Sequence, residues 1–197
     1  MKKVIIDQQT RLFDDFFKVD EAYLRYERFD GTMTPVVRRL NFERGDSVSA
    51  LLFNARTRRV ILVNQFKYPT YEKGPGWITE TMAGMVDKDE RPEDAVRREI
   101  LEETGYQVRD LQYISTFYVS PGGSSERVAL YYAEVDDDQR AAAGGGLATE
   151  NEDIAIVELG VKEALDQIES GEIADAKTII ALYWLRNRLH EDRLGIE

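Results

Sequence analysis

The stretch GMVDKDERPEDAVRREILEETGY, residues 84–106, decides how this chain is read. It predicts a helix with legible ends, since Pro92 suits the first turn and Gly105 the left-handed position after the last one. Ala95, Val96 and Ile100 then share one arc expected to be buried, while Glu99 and Glu103 stack a turn apart on another face, with Glu102 beside them. Like charges at that spacing repel. On a rigid element they cost stability through repulsion and desolvation unless something positive sits between them. A hard divalent cation is the natural counter-charge, because Mg²⁺ takes oxygen ligands and is shared between a few carboxylates, water and substrate phosphates. The plainer alternative is a solvated face on which Arg98 pairs with Glu102, and on the helix alone it is favoured.

Composition narrows the chemistry. The 197 residues suffice for one large domain, or one domain with an appended module, and for a sizeable core. No apolar run approaches a membrane span, and MKKVIIDQQTRL at the N-terminus lacks a sustained apolar region, so a cytoplasmic protein with no membrane partner is expected. With no cysteine there is no disulfide framework, thiolate nucleophile or Cys-ligated zinc. The single histidine, His190, sits in the charged segment RNRLHEDR and reads as a surface residue, which argues against a Ser-His-Asp triad or a His-rich metal site. A formal net charge of −11 argues against general nucleic-acid binding, which needs a basic footprint. It leaves room for a small anionic substrate brought to the carboxylates by local basic residues or divalent cations.

Outward from the helix, the first 48 residues read mostly as strands. YLRYERFDGTMTPVVRRLNF alternates roughly about Asp30-Gly31, a hairpin signal, and such a hairpin needs something to dock on. SVSALLFNARTRRVILVNQFK reads as a second pair around Arg56-Thr57-Arg58, followed by a KGPGW link and a short strand ITETMAG. Beyond the helix come strands in LQYISTFYVS, RVALYYAEV and IAIVEL, a small-residue loop carrying carboxylates at 141–153, and two helices, VKEALDQIES and AKTIIALYWLRNRL. Strands early and helices late favour an α+β layered fold over a parallel doubly wound one.

Spacing then overrides the plain reading of the helix. Gly84, Glu90, Arg98-Glu99, Glu102-Glu103 and Gly105 reproduce the pattern GX5EX7REUXEEXGU, the Nudix box. At ordinary residue frequencies, fixed letters at these spacings arise by chance in fewer than roughly one window in ten million. The sequence therefore resembles the Nudix hydrolases, which use Mg²⁺ to cleave a diphosphate linked to another moiety. The single departure, Tyr106 in place of an aliphatic residue, touches no ligand position. YVSPGGSSE, with Pro121 sixteen residues after Gly105, together with DDDQRAAAGGGL, NEDIAIVEL and SGEIADAKT, is similar to the ADP-ribose and GDP-mannose pyrophosphatase branch. The resemblance runs from about Leu40 to Leu185. It implies a Nudix α/β/α sandwich at 49–197 with an additional N-terminal antiparallel β-sheet at 1–48, usually exchanged across a homodimer.

The resemblance also implies roles. Glu99 and Glu103 match the main metal ligands, Glu102 is the candidate for a further ion, and Ala83 would offer its backbone carbonyl. Glu90 and Arg98 are expected to orient the box through an ion pair, while Gly84 and Gly105 serve tight approach and helix termination. On the loop, Glu152 matches the acidic position that completes the metal site on closure, with Glu150 or Glu126 as alternative bases. The glycines ahead of Glu150 suit a lid hinge. Arg39, Lys67 and Lys177, with Glu126, are candidates for phosphate or nucleoside contact, and each lysine or arginine reads equally as a solvated charge. The mechanism implied is Mg²⁺-assisted hydrolysis, with Mn²⁺ as substitute, of a nucleoside-diphosphate sugar to a nucleoside monophosphate and a sugar phosphate. The alternatives are a nucleotide-sugar sensor without turnover and an RNA 5′-end hydrolase. Intact box glutamates weigh against the first and the acidic chain against the second.

Overall fold

The computed structural model describes residues 2–194, with side chains through His190. Two units divide the chain, residues 1–46 with 118–127 and residues 47–117 with 128–197.

The first unit is an antiparallel sheet in the order β1 (Val4–Asp14), β2 (Lys18–Tyr26), β3 (Val37–Glu43). Asp30-Gly31 forms a turn, with Gly31 at φ 84° and the Asp30 carboxylate accepting the Thr32 N–H at 2.9 Å. The turn is tight: Glu27 bridges Met33, the Arg28 N–H donates to the Thr32 carbonyl at 2.7 Å and the Thr34 N–H to the Tyr26 carbonyl at 2.9 Å. The β2–β3 ladder itself runs to Leu24 and Val37, and Pro35, which has no N–H to donate, stands between the two pairings. The glycine-bearing run after Tyr118 joins this unit because it bonds along β3: the Phe42 N–H donates to the Gly123 carbonyl at 2.8 Å and the Ser125 N–H to the Phe42 carbonyl at 3.3 Å. Thr34 is the only buried residue among 2–46, and Val4, Ile6, Leu12, Phe13 and Leu40 are exposed.

The second unit carries the core. Its mixed sheet has the order β10 (Ala155–Gly160), β5 (Arg59–Phe66), β4 (Ser47–Asn54), β9 (Arg127–Glu134), β8 (Gln112–Tyr118), with β4 and β9 parallel. All of β4 is buried, and its side chains alternate between two apolar layers as a pleated central strand requires. Val48, Ala50 and Leu52 face the layer that holds Ala95, Val96 and Ile100 of α2 (Pro92–Thr104). Leu51 and Phe53 face the layer that holds Ala164 of α3 (Val161–Ser170) and Ala181, Leu182 and Leu185 of α4 (Ala176–Leu194). The result is helix, sheet, helix.

One departure from regularity positions the site. β4 and β5 pair only over 52–54 and 59–61, then diverge. The segment read from sequence as a single strand fills the fork as two, β6 (Trp77–Glu80) on β5 and β7 (Met82–Met85) on β4, with Thr81 between them. A helical turn, α1 (Tyr68–Tyr71), precedes it.

Candidate active site

Helix α2 packs on β7, and the box is built at that contact. Pro92 opens the helix and Gly105, at φ 76°, closes it, its N–H donating to the Leu101 carbonyl at 2.9 Å. At Gly84 of β7 the Glu99 side chain of the helix comes close to the strand. A Cβ there would lie 1.8 Å from Glu99 Oε1, so glycine is what lets the Glu99 carboxylate rest against the strand. Arg98 anchors the other side: Nη2 donates to the Met85 carbonyl and to Glu90 Oε2 at 3.2 Å each, while Nη1 donates to Glu99 Oε1 at 2.7 Å and Glu102 Oε2 at 3.2 Å. Glu90 also accepts the Asp87 N–H at 3.1 Å, which ties the loop before α2 to the same ion pair. The plain reading of Arg98 and Glu102 is thus present, and it coexists with the carboxylate cluster.

Glu103 is the outlier. It is 2 % exposed, and its Oε2 has no hydrogen-bond partner. Burial pushes its carboxyl up to about 8, with Glu99, Glu80 and Glu152 adding repulsion and Lys67 opposing them. Burial likewise raises Glu99, against the pull of Arg98. These groups share a charge deficit of one sign in a low-dielectric place. Among the described residues no three His, Cys, Asp or Glu side chains stand gathered as a finished coordination shell, and Glu99 and Glu102 both pair with Arg98. The donor set is nevertheless all oxygen, and it fits a hard divalent ion: an orphaned buried carboxylate oxygen, a second raised carboxylate over a glycine cradle, and the Ala83 backbone beside that glycine.

A second charged group lies in the fork. Glu80, 5 % exposed at the end of β6, pairs with Lys67 (Oε1, 3.5 Å) and with Lys177 through Oε2. Lys177 also reaches Asp175 at 2.9 Å; burial acts to lower its ammonium, but the two carboxylates outweigh it and the net shift is upward. Asp175 caps α4, its Oδ2 accepting the Thr178 N–H at 2.9 Å and hydroxyl at 2.6 Å. The Thr178 hydroxyl in turn accepts the Thr81 N–H at 2.8 Å, and Ser49 bonds both Thr81 and the Met82 carbonyl. The strand break at Thr81 is therefore satisfied by α4, and the backbone running into Ala83 and Gly84 is pinned from below.

With this geometry in place, comparison with known proteins is decisive on family. The NUDIX domain profile matches residues 43–182. The chain belongs to the NUDIX family. It is 38 % identical over 194 residues to the ADP-ribose pyrophosphatase of Escherichia coli strain K12, covering 98 % of this chain and 91 % of that protein. Over 187 residues it is 40 % identical to the GDP-mannose pyrophosphatase of Escherichia coli strain SMS-3-5 / SECEC, covering 94 % and 96 %. The crystal structure of an ADP compounds hydrolase superposes with a TM-score of 0.73 at 18 % identity, over 99 % of this chain and 97 % of that one, a likeness of fold.

Within the NUDIX domain the structure couples Glu99, Glu103 and Glu152 electrostatically, with Glu102 acting on Glu99 and Lys67 on Glu103; Lys177 connects to them through Glu80, and Ala83 adjoins the Gly84 cradle. Glu152 acts electrostatically on both Glu99 and Glu103 and accepts the Leu147 N–H at 2.9 Å. Glu150 is exposed in a 3-10 turn, Ala148–Glu150. Arg39 and Glu126 belong to the first unit, where Arg39 on β3 bonds the Arg38 carbonyl at 2.9 Å and Glu126 pairs with Arg44 at 3.5 Å. His190 is exposed. Sequence reasoning missed Glu80 and Asp175. The signal available for Asp175 was the cap spacing of Asp175 and Thr178 in DAKT; for Glu80, alone in a short apolar strand, there was none but its type.

Proposed function

We propose that this chain hydrolyses the diphosphate of a nucleoside-diphosphate sugar with Mg²⁺, or Mn²⁺ in its place, releasing a nucleoside monophosphate and a sugar phosphate. The observation that carries this reading is the buried Glu103 carboxylate, whose Oε2 has no hydrogen-bond partner, on an intact box in a chain similar over most of its length to ADP-ribose and GDP-mannose pyrophosphatases. Glu99, Glu103 and the Ala83 carbonyl would hold the ion, with Glu102 for a further one. When bound, it would supply positive charge to the diphosphate and make water a better nucleophile. Gly84 keeps the helix close enough for Glu99 to serve, and Arg98 remains fixed by Glu90 and Met85 when Glu99 turns away from it. Glu152 takes the proton as water oxygen bonds to one phosphorus and the bridging P–O bond breaks, a role worth roughly 10²- to 10⁴-fold. Lys67, whose side chain is 41 % exposed, meets a phosphate oxygen, while Lys177 is held by Glu80 and Asp175.

The first unit supports a homodimer in this reading. Its exposed apolar strands bury almost nothing of their own, so exchange of residues 1–48 across a two-fold would cover them, and Arg39 would serve the neighbour's nucleotide. A cytoplasmic location with neither nucleic acid nor membrane as partner belongs to the same proposal, and the formal net charge of −11 weighs against nucleic acid. No helix among the described residues is long and apolar enough to cross a membrane. Turnover of a nucleotide-sugar panel including ADP-ribose and GDP-mannose, with Mg²⁺ and with EDTA, tests the activity. Metal-dependent release of nucleoside monophosphate is the expected result. Tight binding of a nucleotide-sugar without turnover would make the chain a sensor instead.

A further inference from the structure

The loop that carries Glu152 is tied to the metal-site helix by its glycines. The last carbonyls of α2 have no partner within the helix. They are met from the loop: the Gly145 N–H donates to the Glu103 carbonyl at 2.9 Å and the Gly146 N–H to the Glu102 carbonyl at 3.0 Å, while the N–H groups of Ala141 and Ala142 bond the Gly105 carbonyl at 2.8 and 3.1 Å. The backbone that receives these bonds belongs to the same residues whose side chains form the carboxylate cluster. One residue further on, the Leu147 N–H donates to Glu152 Oε2 at 2.9 Å, and the Ile154 N–H closes the loop on the Gly145 carbonyl at 3.2 Å.

Space at these glycines is as telling as the bonds. A Cβ on Gly144, at φ 73°, would stand 2.6 Å from the Thr104 carbonyl carbon and 2.8 Å from the Glu103 oxygen, helix backbone that cannot yield without unwinding. On Gly146, at φ 82°, it would stand 2.6 Å from Glu152 Oε2 itself. On Gly145, at φ 101°, it would meet nothing nearer than 3.7 Å, leaving only the strain of a left-handed backbone. From the helix side, a Cβ on Gly105 would lie 2.1 Å from the Ala142 oxygen. A free run of three glycines is a hinge; here two of the N–H groups are bound and two of the three positions have no room for a side chain.

We propose that Gly144, Gly145 and Gly146 are positioning residues, a backbone clamp on the end of α2 that sets Glu152 in register with Glu99 and Glu103. The clamp replaces the hinge expected from sequence and confines any lid movement to 147–153. The inference rests on the reading of Glu152 as the group that receives the proton.

The test is a double-variant cycle on the full chain, with Mg²⁺ and the nucleotide-sugar turned over best. Gly146→Ala should lower kcat by at least about 10-fold with KM little changed, and add less than about 2-fold once Glu152→Gln is present, since both lesions act through one group. Gly144→Ala should cost more than Gly145→Ala. Multiplying effects of Gly146→Ala and Glu152→Gln, or equal costs at 144 and 145, would overturn the clamp's role. Amide hydrogen exchange reads the clamp independently of catalysis. The N–H groups of Gly145 and Gly146 should be protected like those in the last turn of α2, and exchange at the rate of an open loop would overturn the clamp itself. If Glu152→Gln alone keeps full kcat while both amides are protected, the assignment of Glu152 fails and the clamp's positioning role fails with it, leaving only its helix cap.

Discussion

Two groups of charges lie in the same unit and obey opposite rules. In the fork, Glu80, Lys177, Lys67 and Asp175 alternate in sign, and Asp175 is further satisfied by the end of α4. On the helix, Glu99 and Glu103 meet each other and Glu152, and Glu103 keeps a buried oxygen without a hydrogen bond. The first group is matched in charge: Glu80 Oε1 also lacks a hydrogen bond, but Lys67 stands 3.5 Å from it, and Asp175, through Thr178, pins the strand break at Thr81 that leads into Ala83. The second has Arg98 on Glu99 but faces the bare Glu103 oxygen with carboxylates, the arrangement our proposal completes with a divalent ion. Burial alone does not mark a functional group; burial with the wrong company does.

That contrast can be broken most sharply at Glu103. Glu103→Gln should lower kcat by roughly 10³-fold, the scale of losing a main electrostatic stabiliser, while the metal-free protein melts at a higher temperature near pH 7, because the native state no longer has to hold a proton that the unfolded carboxyl gives up. A variant of full activity, or one that melts lower, would end the assignment. In the fork the same chemical change should act in reverse. Glu80→Gln leaves Lys177 with one partner in a mostly buried place, and should destabilise by about 3–5 kcal/mol, read as a lowered Tm. Equal signs at Glu80 and Glu103 would mean that the two groups do not differ in kind.

Smaller effects sharpen the same comparison. Glu152→Gln should lower kcat by about 10²-fold with little change in KM, because it acts in proton transfer. An unchanged kcat would shift the role to Glu150 or Glu126. The pH dependence of metal-free stability follows from Glu103 with a definite sign. Its folded value, about 8, lies above the ordinary 4.5, so between these limits the native state holds more protons than the unfolded one and stability falls as pH rises. Mg²⁺ should flatten that slope, and Glu103→Gln should remove most of it. A metal-free Tm that climbs from pH 5 to 8 would contradict the cause given for the shift.

Much of this was legible because it is local. The ends of α2, its apolar arc and the spacing of its glutamates are set by residues within one stretch, and Gly84 announced a close approach that Glu99 supplies. What escaped was non-local. Glu80 and Lys177 are 97 positions apart and meet only because β4 and β5 diverge, a splay that no pattern in either strand declares. The Asp30-Gly31 signal located a tight turn correctly, while the break in the β2–β3 ladder between Val37 and the turn follows from the connection around Pro35. The run Gly144, Gly145, Gly146 shows the limit most plainly, for composition gives freedom and only the helix end beside it shows that the freedom is spent.

In our proposal the helix carboxylates form a divalent-metal site whose charge is unbalanced until the ion binds. Calorimetric titration of the metal-free protein with Mg²⁺ near pH 7, in two buffers of different ionisation enthalpy, tests it directly. Wild type should bind with release of a proton, because a Glu103 carboxyl held up to about 8 must ionise to take the ion. Glu103→Gln should lose that proton and most of the affinity. Equal Mg²⁺ affinity and equal proton release in the two proteins would contradict the account.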